Sequence, residues 1–245
     1  MCKEALSDFN IDTVLQNLAK NRPLFHNERD FQFELAWQIK ELYHCEVRLE
    51  YYYKTIDNSK RRYIDIIAFD KSYCIAFELK YKTKFFNGKV KNEVYNLKNQ
   101  YARDLGCAYV LSDLCRLQKL IISKTEIGGR KLNKGYVIFL TNDENYIDID
   151  FGENTLFAKC ALKNGETIKG DMRFPKSYNG KDLSQTSAAS FKNKDLDFGN
   201  EEYLINWADD YNNRTDAAKI YKLIFEITGL CEIISVNSKT VIKTL

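Results

Sequence analysis

The chain of 245 residues has few groups of the kind that build many common active sites. Histidine occurs twice, at His26 and His44, so a histidine metal centre or a nucleophile–histidine pair has little to draw on. Seven cysteines lie scattered at 2, 45, 74, 107, 115, 160 and 231, with no C-x-x-C pair. That spacing excludes a zinc ribbon, and the odd count argues against a disulfide framework, so a reducing, cytoplasmic setting is expected. There is no P-loop, no Rossmann glycine fingerprint and no G-x-S-x-G elbow. No apolar run reaches the roughly 18 residues of a membrane span, no signal-peptide pattern opens the chain, and no membrane partner is expected. The net charge of +3 is too small to mark a nucleic-acid binder, which leaves local clustering as the informative quantity.

Hydrophobic residues make up 44% and charged residues 29% of the chain, ordinary for a globular protein long enough to bury a substantial core. The most informative stretch is RYIDIIAFDKSYCIAFELKYKTK, residues 62–84. Its pattern predicts strands over Tyr63–Phe69 and Tyr73–Tyr81, with Asp70, Lys71 and Ser72 as the turn. Side chains alternate between faces along a strand. Cys74, Ala76, Glu78 and Lys80 therefore share one face, and Ile75, Phe77, Leu79 and Tyr81 the other. Asp65 falls among apolar neighbours, where an unpaired carboxylate is expensive to bury. Paired as a hairpin, the two strands bring Asp65 and Glu78 together with Lys80 alongside, the makings of a divalent-metal site next to a lysine.

Upstream, residues 4–20 predict a short amphipathic leading segment. A stronger helix follows from Asn27, a good N-cap, to about Tyr43, with Phe31, Leu35, Ile39 and Leu42 as its stripe. Glu28 projects into that stripe and Glu34 lies to its side. An acid in the first turn suits the helix dipole without further function; Glu28 also points toward whatever the helix packs on. EVRLEYYY, Glu46–Tyr53, predicts a strand, and a turn at residues 57–59 leads to the basic run Lys60, Arg61, Arg62.

One helix followed by three strands, with Asp65 on the second and Glu78-Leu79-Lys80 on the third, resembles the PD-(D/E)XK nuclease superfamily. Ile64 stands where that motif has its proline. The resemblance implies an α/β restriction-endonuclease-like core, a mixed central sheet flanked by helices in αβββαβ order. It implies phosphodiester hydrolysis, in DNA above all, of restriction, defence or repair type. Mg²⁺, with Mn²⁺ as substitute, would be held by Asp65, Glu78 and the backbone carbonyl of Leu79, with Lys80 catalytic and Glu28 completing the site; Glu34 is the alternative to Glu28. Double-stranded DNA is the expected partner, and cutting both strands implies a homodimer. The superfamily also contains inactive members, so the alternative is a catalytically inactive scaffold or nucleic-acid-binding module. An unrelated α/β binding protein is a third reading of the same residues.

Beyond Lys80 come Lys82, Lys84, Phe85, Phe86, Lys89 and Lys91. Lysine-rich loops are commonly just solvated, but beside Glu78 and Lys80 this one, with Arg61 and Arg62, suits phosphate contacts. Leu97, Tyr101 and Leu105 predict a helix over residues 94–105 ended by Gly106. By the same resemblance such a helix offers Gln100 as a supporting residue, or Lys98 or Arg103. A strand at Ala108–Leu111, a helix from Ser112 to Leu120 and a strand at Tyr136–Thr141 follow. This divides the chain into an N-terminal helical segment (1–25), the core (26–141) and a β-rich C-terminal extension packed on it (142–245). Within the extension a hairpin is expected over Leu156–Met172, turning at Asn164-Gly165. A polar loop should span 176–200, a short helix should hold Trp207 and Tyr211, and strands should run over Ile220–Thr228 and Glu232–Val236.

Overall fold

The computed structural model describes residues 5–53 and 62–229, and the backbone of Glu232–Val236 and Lys239–Lys243. Arg61 and the expected turn at 57–59 lie outside the described residues. The architecture is α/β, a mixed five-stranded sheet with three α-helices among the described residues. Helix α1 is Ile11–Asn21 and α2 is Glu28–Tyr43. Strands β1 (Glu46–Tyr53), β2 (Arg62–Phe69) and β3 (Cys74–Lys82) follow. A small hairpin, β4 (Phe86–Val90) and β5 (Glu93–Leu97), precedes α3 (Arg103–Ile122). Strands β6 (Lys134–Thr141) and β7 (Tyr221–Thr228) complete the sheet, whose order is β1-β2-β3-β6-β7. Only the β3–β6 pair is parallel. No helix among the described residues is long and apolar enough to cross a membrane.

Local chemistry explains the elements that position the site. Asn27 Oδ1 accepts from Asp30 N at 3.0 Å and starts α2. Phe31, Leu35 and Ile39 of that helix are fully buried, each contributing about 1.5–3 kcal/mol by leaving water. Asp70 Oδ1 accepts from Ser72 N and Tyr73 N, both at 2.8 Å, and closes the β2–β3 turn. The sheet separates two cores. Ile75, Phe77, Leu79 and Tyr81 pack toward α1 and α2, while Cys74 and Ala76 pack toward α3. At Gly135 on β6 an added Cβ would lie 2.9 Å from Ile121 Cδ1, so a side chain there would push the Ile121 end aside where α3 packs.

Several expectations downstream of β3 are corrected. Residues 94–102 are not helical; of the expected helix only 103–105 are, as the start of α3. Val94 is exposed, Tyr95 buried, Asn96 exposed and Leu97 buried, the two-residue alternation of β5. The four-residue spacing of Leu97, Tyr101 and Leu105 is coincidental, and Tyr101 is exposed. Gly106 does not end a helix but lies inside α3, buried against the Tyr146 hydroxyl, which a Cβ would meet at 3.0 Å. Ala108–Leu111 and Ser112 belong to the same continuous helix.

In the C-terminal part, Asn164-Gly165 does turn the chain, with Gly165 at φ +83°, but its flanks do not pair as a hairpin. Thr167–Ile168 pairs instead with Tyr203–Leu204. The 176–200 segment is more ordered than its composition suggests. It forms the small antiparallel pair Ser177–Tyr178 with Lys181–Asp182, and it buries Leu183, Phe191, Leu196 and Phe198 against the α3-side core. Trp207 and Tyr211 are anchors without a helix. Trp207 Nε1 donates to Leu162 O at 2.7 Å and the Tyr211 hydroxyl to Arg22 O at 2.9 Å. Residues of this part also enter the central sheet directly, because β7 pairs along the whole of β6.

Candidate active site

The site arises where β2 leaves β3. On β1, Val47 packs toward α2 but Tyr51 and Tyr53 pack toward α3; on β2, Ile66 and Ala68 face α2 but Ile64 faces α3. Both strands therefore exchange faces at one level, between Leu49 and Tyr51 and between Ile64 and Ile66. No residue is inserted, since Leu49↔Ile66 and Tyr51↔Ile64 keep one register. Glu50 absorbs the rotation at φ +47°, a left-handed conformation that costs a non-glycine residue about 1–3 kcal/mol. Gln32 of α2 holds the bend, its Nε2 donating to Asp65 O at 2.8 Å and to Glu50 Oε1 at 3.0 Å.

The β2–β3 ladder stops at Ile66↔Phe77. Past that point two carboxylates take over the edge of β3. Asp65 Oδ2 accepts from Leu79 N at 2.7 Å and Glu28 Oε2 from Tyr81 N at 2.9 Å. Each acid spends one oxygen on a backbone N–H that a neighbouring strand would otherwise satisfy. The Leu79 carbonyl leaves the strand on the same edge as its N–H, toward the gap. Lys80 Nζ lies 3.6 Å from Glu28 Oε1. On the α3 side, Glu78 is only 3% exposed and its Oε1 sits 2.8 Å from Arg116 Nη2, yet no donor is aligned on that oxygen. Arg116 also donates to Asp113 Oδ1 at 2.9 Å and to the Tyr63 carbonyl at 3.0 Å.

The electrostatics are strained toward positive charge. Burial pushes the Asp65 carboxyl up to about 6; the Leu79 N–H and Lys80 oppose this, while Asp113 and Glu28 add to it. Burial likewise raises Glu78 well above the usual carboxylate range, against the pull of Arg116 and with the help of Asp113 and Asp65. Burial works against the Lys80 ammonium too, but Glu28, Asp113, Asp65 and Glu78 together hold it protonated. Burial similarly opposes the Arg116 charge, which Glu78 and Asp113 more than restore. Four carboxylates thus converge around Lys80 and Arg116.

No family model, no curated protein and no solved structure matches this chain. Lys80 Nζ lies 3.6 Å from Glu28, and Glu28, Asp65 and Glu78 all act on the Lys80 charge. Glu34 does not join them; its Oε1 lies 3.5 Å from Arg22 Nε, on another ion-pair cluster. Gln100 is not on a helix but in the exposed loop before α3, with its backbone N–H on Thr83 O at 2.8 Å. Of its alternatives, Arg103 binds Asp143 at 2.6 Å, and the Lys98 carbonyl accepts from Thr83. Lys82 flanks Lys80, and burial with that like charge lowers its pKa. Lys84 is exposed and 3.7 Å from Glu144, and Arg62 is half-buried at the start of β2.

Three contributors escape sequence reasoning. Asp113 and Arg116, an i,i+3 pair on a helix otherwise buried nearly all round, carry the one signal that could have found them. Lys194, from the segment expected as a loop, donates to Ser112 Oγ and lies near enough to Arg62 and Arg116 to be lowered by them after burial and against the pull of Asp113. As to a metal, no three His, Cys, Asp or Glu side chains among the described residues are gathered closely enough to hold one. The donors on hand are the free oxygens of Asp65 and Glu78 and the Leu79 carbonyl. Such hard oxygens, with the undonated Oε1 of Glu78, fit Mg²⁺, which commonly takes one or two carboxylates and fills its remaining positions with water or phosphate.

Proposed function

We propose that the chain is a metal-dependent nuclease of PD-(D/E)XK type, with a restriction-endonuclease-like core, that hydrolyses phosphodiester bonds in DNA. The observation that carries this reading is the parting of β2 and β3 at Asp65, which puts Asp65, Glu78 and Lys80 at one gap in the sheet. Asp65, Glu78 and the Leu79 carbonyl would hold Mg²⁺ or Mn²⁺. When bound, such an ion supplies positive charge that polarises a phosphoryl oxygen and acidifies water. Lys80 keeps its proton beside four acids and offers an ammonium to charge developing on the phosphate. Glu28 aims that ammonium from 3.6 Å while fixing the Tyr81 N–H. Arg116 holds Glu78 in place, and Lys82, Lys84 and Arg62 are suited to flanking phosphates.

One observation favours a second reading, an inactive scaffold or nucleic-acid-binding module of the same fold. The Arg116 guanidinium already stands 2.8 Å from Glu78, an internal cation where a ligand-bound metal would place its charge. A cleavage assay on circular and linear DNA with Mg²⁺ or Mn²⁺ separates the two. The nuclease reading expects cleavage that Asp65→Asn and Glu78→Gln each abolish. A clean protein that cuts nothing with either ion and unfolds on Asp65→Asn is a scaffold whose acids form a structural network.

A further inference from the structure

Among the described residues six large aromatic side chains stand out in solvent, and four of them lie on or next to the strands that carry the site. Tyr52 (47% exposed) and Tyr63 (41%) are register partners on β1 and β2, with ring centroids 5.8 Å apart. Tyr63 is two residues from Asp65, and its carbonyl accepts from Arg116, the residue that grips Glu78. Just past the end of β3, Phe85 is 58% exposed and Tyr101 78%. Asn99 ties these two together, accepting from Phe85 N at 2.7 Å and donating to the Tyr101 hydroxyl at 3.3 Å. One aromatic pair therefore spans β1 and β2, and the other follows the end of β3. Isolated exposed aromatics are ordinary; here they come as two fixed pairs, one beside Asp65 in the chain and one shortly after Lys80.

We infer that these pairs are stacking platforms for unpaired nucleobases, and that the substrate of the proposed nuclease is a single-stranded or frayed stretch of nucleic acid rather than an intact duplex. The inference rests on the proposed activity for the chemistry but on its own residues for the binding. Bases inside a duplex are stacked on one another and present only their edges, whereas an unpaired base offers a π-face to a tyrosine or phenylalanine. The charge of the surroundings suits the same ligand. Arg62 adjoins Tyr63, and Lys84 adjoins Phe85, so each platform has a cation next to it in the chain for the phosphate that accompanies a stacked base.

The test is binding in EDTA, where no metal-dependent cleavage intervenes, of a short fluorescent oligothymidylate and a hairpin duplex. Tyr52→Ala with Tyr63→Ala, and separately Phe85→Ala, should each weaken oligothymidylate binding about 10-fold or more and leave duplex binding and the salt slope unchanged. Tyr52→Phe with Tyr63→Phe should bind as the parent does. Because Phe85 lies on a different element, a misfolded double variant leaves the second arm intact. A parent protein that fails to bind the oligothymidylate, or alanine variants that bind it undiminished, would overturn the inference. The two proposals fail separately. Duplex cleavage insensitive to these substitutions removes the platforms and keeps the nuclease; aromatic-dependent binding without any cleavage keeps the platforms and removes the nuclease.

Discussion

Replacing Asp65 by asparagine isolates the cost of keeping that carboxylate ionised. Its pKa stands about two pH units above the ordinary 3.8 because burial outweighs the Leu79 N–H and Lys80. Each unit is worth about 1.4 kcal/mol, and discounting for the side chain's partial exposure leaves roughly 2 kcal/mol against the ionised fold at neutral pH. Asparagine keeps an oxygen to accept from Leu79 N and carries no charge. Asp65→Asn should thus raise stability by about 2 kcal/mol at pH 7, or about 4–8 °C in Tm for a chain of this size. The pH dependence has a definite sign. The folded carboxyl holds its proton to higher pH than the unfolded one, so its contribution is present below about pH 4 and is lost as pH rises to about 6. Urea unfolding of parent and variant from pH 4 to pH 7, without divalent metal, should show curves that coincide at the acid end and separate upward. A variant destabilised at pH 7, or a separation that does not change with pH, would refute the assignment of the buried charge to Asp65.

The other expectations concern the partners of that carboxylate. Arg116→Met leaves Glu78 buried without its cation and should cost about 3–5 kcal/mol in urea unfolding, most of it recovered when Glu78→Gln is added. Lys80→Ala leaves the oxygen donors in place, so thermal stabilisation by Mg²⁺ should survive while single-turnover cleavage falls on the order of 100-fold or more. Lys82→Ala with Lys84→Ala should flatten the dependence of log affinity on log salt by about 0.7 per lost phosphate contact for the oligothymidylate and about 0.9 for a duplex, measured by fluorescence anisotropy. An unchanged slope would place both lysines away from the phosphates.

The parts of the fold legible in the sequence are those governed by neighbours in the chain. Asn27 announces α2 through a cap three residues long, and the alternation around Glu78 gives β3 its two faces. The α3 region was illegible for a specific reason. Gly106 has the look of a helix end, but its function is set by the Tyr146 hydroxyl packed on it from 40 residues away. The site divides along the same line. Asp65, Glu78 and Lys80 follow from strand pairing, whereas Arg116 reaches Glu78 from a helix 38 residues later, and no local pattern encodes that contact. Lys194, farther still, sits in a stretch whose polar composition conceals the burial of Phe191 and Leu196.

The break between β2 and β3 leaves an open strand edge inside a sheet, a feature that invites a foreign strand to pair there. Asp65 and Glu28 close it by occupying the Leu79 and Tyr81 amides, so the two acids guard the fold against edge-to-edge aggregation whatever else they do. On the proposed nuclease reading, a descendant that had lost all catalysis would still be selected to keep them, because losing both would expose those amides together. Lys80 occupies no backbone group at that edge. On the proposed reading its replacement across related chains would point to lost catalysis, whereas Glu78, also free of that edge, is held by its pairing with Arg116.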